Sequence, residues 1–228
     1  MPEPRAVRSM FARIAGRYDL LNRTLSGGMD QRWRKLVARR LAPLAGKVAI
    51  DVACGTGDLG LELARAGARV IGVDFTFEMV ARAPDKARRK GQRVTWVQGD
   101  AMGLPLPDGV ADAVTIAFGL RNVVDRGACL VELARVLRPG GTLIVLECGL
   151  PRNRVFGAVY REYFTRVLPR LGGWISGDRS AYEYLPATVL AWPGPDELSR
   201  EVAAAGFQDT QFLSLSGGVA YLHSGVRR

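Results

Sequence analysis

Histidine is almost missing from this chain of 228 residues, with His223 as its single example. One imidazole cannot build a zinc cage or supply a His-based triad with partners of its own kind, so much of hydrolase chemistry drops out. Cysteine is scarce as well: Cys54, Cys129 and Cys148 are an odd number, show no CxxC spacing and each lie inside an apolar stretch. They read as reduced structural thiols, with no disulfide and no metal site expected. Long hydrophobic runs are absent: those such as VAI and VAC flanking Asp51 fall far short of the roughly 20 residues a membrane-spanning helix needs. The opening MPEPRAVRSMFARIAG has neither the continuous apolar core nor the cleavage pattern of a secretory signal, so a cytoplasmic location is expected.

Negative charge is the remaining shortage. Asp and Glu number 22 against 32 Lys and Arg, a formal net charge of +10. The excess is concentrated at the start, where residues 1–47 hold eleven Arg and Lys against three acids. A basic segment can attract anionic headgroups or other anions, and it can equally be an Arg-rich solvated surface. No RNA-recognition signature accompanies it, and no nucleic-acid partner is expected.

What is present is ordinary globular material, 48% hydrophobic and 24% charged. From residue 48 onward, β-rich runs alternate with helical patterns. Strands are expected at 48–54, 69–74, 94–100, 111–119 and 142–149, and helices at 58–67, 76–91 and 126–141. Pro84 must kink or break the second of these helices, and Pro139 with two glycines stops the third. Such alternation predicts a doubly wound, mostly parallel sheet with helices on both faces. After residue 150 the pattern changes to an amphipathic segment, 152–171, carrying Val155, Phe156, Val159, Tyr160, Tyr163, Phe164, Val167 and Leu168 at three-and-four spacing with Arg154, Arg161 and Arg166 opposite. A helix at 195–206 and two alternating strands close the chain as an antiparallel hairpin. Two helices, 5–16 and 30–42, precede the sheet.

The string DVACGTGDLG runs from a buried strand through Gly55 and Gly57 into a helix N-terminus, where backbone amides and the helix dipole offer donors to a ligand. Asp74, ending the second strand, is placed to take a ribose hydroxyl pair. On these alone a dinucleotide site stays open. Asp51, an acid in an apolar strand just before the glycines, could face a ligand ammonium but has no task beside a pyrophosphate. Asp100, ending the third strand, could accept from an adenine amino group. Together with the terminal hairpin, these motifs resemble the Rossmann-like class I S-adenosylmethionine-dependent methyltransferases, with a seven-stranded sheet.

The resemblance narrows further. VRSMFARIAGRYDLLNRTLSGGMDQRWR, IAFGLRNVVDRGACLVELARVLRPGG, DRSAYEYLPATVLAWP and GGVAYLHSG are similar to the C-methyltransferases of menaquinone and ubiquinone biosynthesis, over nearly the whole chain. The resemblance implies S-adenosyl-L-methionine as methyl donor and a polyprenylated quinol ring carbon as acceptor. It does not separate a naphthoquinol from a benzoquinol, and the compact chain without a targeting extension turns the expectation to demethylmenaquinol, with a methoxy-polyprenyl-benzoquinol or another small-molecule acceptor as the alternatives. It implies cofactor contacts at Thr56, Asp74, Phe75, Asp100, Ala101 and Ala117, beside Asp51, Gly55 and Gly57. Ala117 stands where the family commonly has serine, Cys54 where glycine is usual, and Asp30 where histidine often precedes the tryptophan, here Trp33.

For chemistry, a cation beside the acceptor hydroxyl would stabilise a forming phenolate. Arg121, after the fourth strand, is the candidate, with Asn122 orienting water or a substrate oxygen, and the resemblance adds Tyr18 as a substrate-side hydroxyl. Arg121 could instead pair with Asp125, and Asn122 could cap the next helix. Residues 1–47 are expected to form a helical cap on the acceptor side, and 48–228 the cofactor domain with an amphipathic insertion at 152–190. That insertion can lie on a membrane or form a lid over a greasy tunnel, and a homodimer is allowed but not required.

Overall fold

The computed structural model describes residues 3–170 and 179–228. Seven strands form one sheet: β1 (Val48–Val52), β2 (Arg69–Asp74), β3 (Val94–Gln98), β4 (Ala111–Ala117), β5 (Leu137–Cys148), β6 (Phe207–Leu215) and β7 (Ala220–Arg227). Their spatial order is β3-β2-β1-β4-β5-β7-β6. The first five run parallel, while β7 is antiparallel to both β5 and β6. The order reverses direction between β1 and β4, and ligand crevices in such sheets open beyond the strand ends at that switch. Apolar residues of β1, β4 and β5, among them Ile50, Val114, Ile116 and Val145, are fully buried between layers of helices.

Three helices precede β1, one more than expected: α1 (Pro4–Ile14), α2 (Tyr18–Leu25) and α3 (Met29–Leu41). The segment YDLLNRTL, expected as a connection, forms α2 because Leu21 has a pocket to enter, being 1% exposed in a cluster with Met10, Ile14, Phe164 and Val189. That burial lies far away in sequence and outweighs a short helix's weak intrinsic stability. Around the sheet follow α4 (Asp58–Arg65), α5 (Phe77–Val80), α6 (Ala83–Arg89) and α7 (Arg126–Val136). Pro84 does divide the 76–91 segment, sitting in the first turn of α6 where its missing N–H costs nothing.

The expected end of the third helix needs correction. α7 stops at Val136, and Leu137 through Gly141 already belong to β5, with Leu137 paired to Ala111. Pro139 disfavours helical backbone at Arg138, so its effect reaches upstream of the ring. The amphipathic segment begins as α8 (Arg154–Glu162) and continues through one π-turn at Tyr163–Val167. The Gly-rich turn after it and the start of DRSAYEYLP, at 171–178, lie outside the described residues. α9 (Arg179–Leu190) and α10 (Pro195–Ala204) then lead into β6 and the terminal hairpin.

Candidate active site

At the carboxyl ends of β1 to β4 the chain must turn sharply. Ala53 after β1 and Phe118 after β4 both take positive φ, 51° and 58°, conformations that cost an ordinary residue free energy and persist where the surroundings dictate them. The loop after β1 is fastened to β2: Gly55 N–H donates to Asp74 Oδ2 at 2.7 Å, and Thr76 N–H donates to Oδ1 at 2.8 Å. Burial raises the Asp74 pKa against the opposing pull of these two amide bonds. Asp100 is oriented likewise, accepting from Met102 N–H at 2.9 Å.

These turns wall a cavity of about 150 Å³ lined by Gly55, Asp74, Phe75, Asp100, Ala101 and Ala117. Two carboxylates with acceptor capacity left over, beside an apolar rim, fit a nucleoside bearing ribose hydroxyls and an exocyclic amine. The far wall was not legible in sequence. Val7, Arg8 and Phe11 of α1 close the cavity, and the Arg8 guanidinium lies 5.4 Å over the Phe75 ring. Residues of α1 therefore reach this cavity as well as the second one described below.

Three expected contacts do not line this cavity. Asp51 is 1% exposed and accepts from Gly60 N–H at 2.8 Å and from the Thr115 hydroxyl at 2.9 Å. Its carboxylate anchors the first turn of α4 and is no part of the cavity wall. Burial pushes its pKa up to about 7. The Thr56 hydroxyl is committed elsewhere, donating to Asp19 Oδ1 at 2.5 Å and accepting from Lys86 Nζ at 3.0 Å. Gly57 is demanded by packing: a Cβ there would lie 2.3 Å from the Trp96 ring, at a φ of +87°.

A second cavity, about 340 Å³, opens between the helices before β1 and α8 with the segment that follows it. Phe11, Tyr18 and Phe118 line both cavities and so form their common wall. The Tyr18 ring stands over the loop, 3.6 Å from where a Cβ on Gly55 would be. Burial raises the Tyr18 pKa, opposed by a hydrogen bond with Asn22 and by the charges of Arg34 and Arg121, so the phenol stays protonated at neutral pH. Arg121 faces this cavity and pairs with Glu147 of β5 at 2.6 Å; Asp125 instead caps α7 through Ala128 N–H. Burial works to lower the guanidinium pKa, but Glu147 together with Cys148 and Tyr18 outweighs it and the net shift is upward. Arg121 Nε has no partner among the described residues. Asn122 lines the first cavity rather than the second, and accepts from the hydroxyl of Tyr184 at 3.0 Å, which lines the second and ties α9 to the site. Glu147 and Tyr184 escaped the sequence reading, though an acid inside TLIVLEC was a signal of the same kind as Asp51.

The amphipathic segment divides its apolar residues. Phe164 and Leu168 are buried, and with Tyr160, whose ring stacks on Phe164 at 5.4 Å, they line the second cavity. Val155 and Val159 remain in solvent, 78% and 64% exposed. Among the described residues no helix is long and apolar enough to cross a membrane.

Comparison with known proteins agrees with the fold. Solved structures of a SAM-dependent methyltransferase from Aquifex aeolicus (TM-score 0.63, 18% identity, 86% of this chain and 89% of that one) and of the cyclase SpnF (TM-score 0.74, 21% identity, 99% and 96%) share the fold. A demethylmenaquinone methyltransferase from Thermus thermophilus is 51% identical over 96% of this chain and 100% of its own length. One from Deinococcus radiodurans is 45% identical over 98% and 93%, and the ubiquinone/menaquinone biosynthesis C-methyltransferase UbiE of Geobacter sulfurreducens is 44% identical over 97% and 88%. The model of the ubiE/COQ5 methyltransferase family matches residues 2–227, and the chain belongs to that family.

Proposed function

We propose that the chain transfers a methyl group from S-adenosylmethionine to a ring carbon of demethylmenaquinol. The single observation that carries this reading is the pair of cavities meeting at Phe11, Tyr18 and Phe118, one edged by Asp74 and Asp100, the other apolar with Arg121 on its wall. Asp74 holds the ribose hydroxyls, and Asp100 with the backbone at Ala101 holds the adenine. When bound, the cofactor would supply an electrophilic methyl group for the ring carbon, its sulfonium sulfur becoming a neutral thioether. Alignment of donor and acceptor through the shared wall contributes up to about 7–11 kcal/mol.

Arg121 cannot take the acceptor's proton, because its guanidinium stays charged. Its role is electrostatic: it stabilises negative charge on the ring oxygen as the adjacent carbon becomes nucleophilic, and Glu147 holds it in place. Tyr18 donates a hydrogen bond to the same region, and Asn122, fixed by Tyr184, positions the water that receives the proton. Residues 1–47 act as a cap over both ligands, and the exposed valines of α8 with neighbouring arginines seat the protein on an anionic bilayer while the prenyl tail lies along the second cavity.

The test is transfer of labelled methyl to chemically reduced demethylmenaquinone and, separately, to a reduced methoxy-polyprenyl-benzoquinone. Product from the first acceptor is expected, and Arg121→Ala should lower turnover about 10²- to 10³-fold with cofactor affinity unchanged. Cofactor binding without methylation of either acceptor would sink the acceptor assignment.

A further inference from the structure

A second buried ion pair faces the acceptor cavity and has no task in the reaction as described above. Asp30 and Arg34, one turn apart on α3, are 3% and 6% exposed and meet at 2.5 Å. Both line the apolar cavity together with Ser26, whose hydroxyl donates to Asp30 Oδ1 at 2.9 Å. The Arg34 guanidinium stands 5.3 Å over the ring of Phe118, the wall shared with the cofactor side. An exposed pair at this spacing would be cheap, but a buried one costs several kcal/mol of desolvation that apolar residues of similar volume would avoid.

The remaining valences point to a ligand. A carboxylate offers about four lone-pair sites, and Asp30 has two described donors, Arg34 and Ser26. A hydroquinone ring carries two hydroxyls on opposite sides, and Arg121 with Tyr18 accounts for one. We infer that Asp30, held by Arg34 and Ser26, accepts a hydrogen bond from the second ring hydroxyl and thereby makes the cavity select the reduced acceptor over the quinone. The inference rests on the acceptor class assigned above. A hydroquinone has an O–H to give; a quinone presents a carbonyl oxygen toward the carboxylate, leaving an acceptor against an acceptor. Asp30 is thus a specificity residue and no part of the methyl transfer itself.

The discriminating measurement is anaerobic binding, by tryptophan fluorescence, of a 2-prenyl-1,4-naphthohydroquinone with a short tail and of the same compound kept oxidised. The wild type is expected to bind the reduced form about tenfold more tightly, the worth of one hydrogen bond to a charged group. Asp30→Asn should bring the two affinities together by weakening the reduced form alone, and Asp30→Glu should retain part of the difference. Equal weakening of both forms in Asp30→Asn, or an unchanged ratio, overturns the proposal and leaves the pair a structural one. In the wild type, each of the two mono-O-methyl ethers of the hydroquinone serves as a check that needs no variant: one ether should lose the advantage over the quinone, and retention of it by both overturns the proposal. Methylation of demethylmenaquinol by a wild type that shows no redox preference would defeat this inference alone, whereas preference without methylation would defeat the acceptor reading.

Discussion

A carboxyl group inside a parallel sheet leaves a signature in the pH dependence of stability. Asp51 has its pKa raised by burial to about 7, from 3.8. A folded-state pKa above the unfolded value means the folded chain binds the extra proton between those limits, so Asp51 makes stability fall as pH rises from about 4 to 7. His223, lowered by burial to about 4 from 6.5, works in the opposite direction between pH 4 and 6.5. Asp51→Asn keeps the acceptor for Gly60 N–H, and its amide can donate to the Thr115 hydroxyl, which also reaches Ile50 O. The variant is predicted to lack the Asp51 slope, so that its melting temperature gains on the wild type between pH 5 and pH 8. A constant difference across that range would refute the assignment. Sequence marked Asp51 as an ion in an apolar strand, but not which ligand it satisfies. An amide of the following helix and a ligand ammonium are chemically alike as partners, and only the side-chain direction separates them. The bond of the Thr56 hydroxyl to Asp19 was not legible either, since the two lie 37 residues apart.

Helices are held in register here by one buried cation. Lys86 of α6 meets Asp19 of α2 at 2.6 Å and Asp58 of α4 at 2.5 Å, besides the Thr56 hydroxyl. Lys86 lowers the Asp58 pKa in spite of the opposing effect of burial. Asp19 follows Tyr18 directly, so this clamp places the phenol over the loop. Lys86→Met is predicted to cost about 3 kcal/mol, because two carboxylates lose their shared cation. Its effect on turnover should largely vanish in a Tyr18→Phe background, a non-additivity measurable in a double-mutant cycle. Additive losses would mean that the clamp does not act through Tyr18. Between β2 and β3 the packing is tighter still: a Cβ on Gly72 would approach the Trp96 ring to 2.4 Å. Gly72→Ala should cost about 1–3 kcal/mol, seen as a drop of several degrees in melting temperature. Strand periods and glycine stops made most elements legible, whereas α2 was not, since its eight residues are held by partners in α5, α9 and the π-turn that no local pattern encodes.

For the whole molecule, the alternation of strands and helices was enough to predict a doubly wound sheet with a reversed pair at its end, because connection rules leave few other ways to bury those runs. The cap's reach over both cavities was not, as it depends on where α1 lands. Exposed Val155 and Val159 beside arginines define the face expected to meet lipid. Val155→Asp with Val159→Asp is predicted to abolish co-flotation with anionic vesicles and to lower turnover of long-tailed acceptors about tenfold, with a short-tailed acceptor unaffected. Unchanged flotation would rule that face out.

The sheet order has a further consequence. β7 lies between β5 and β6, so the strand that comes last in chain order fills an interior place in the sheet. Assembly cannot proceed by adding strands outward one after another. Until β7 arrives, β5 and β6 each offer a row of unpaired backbone groups, a template for a neighbouring chain. Refolding at high protein concentration should therefore lose yield to strand exchange between molecules, and the loss should be relieved by dilution rather than by the cofactor.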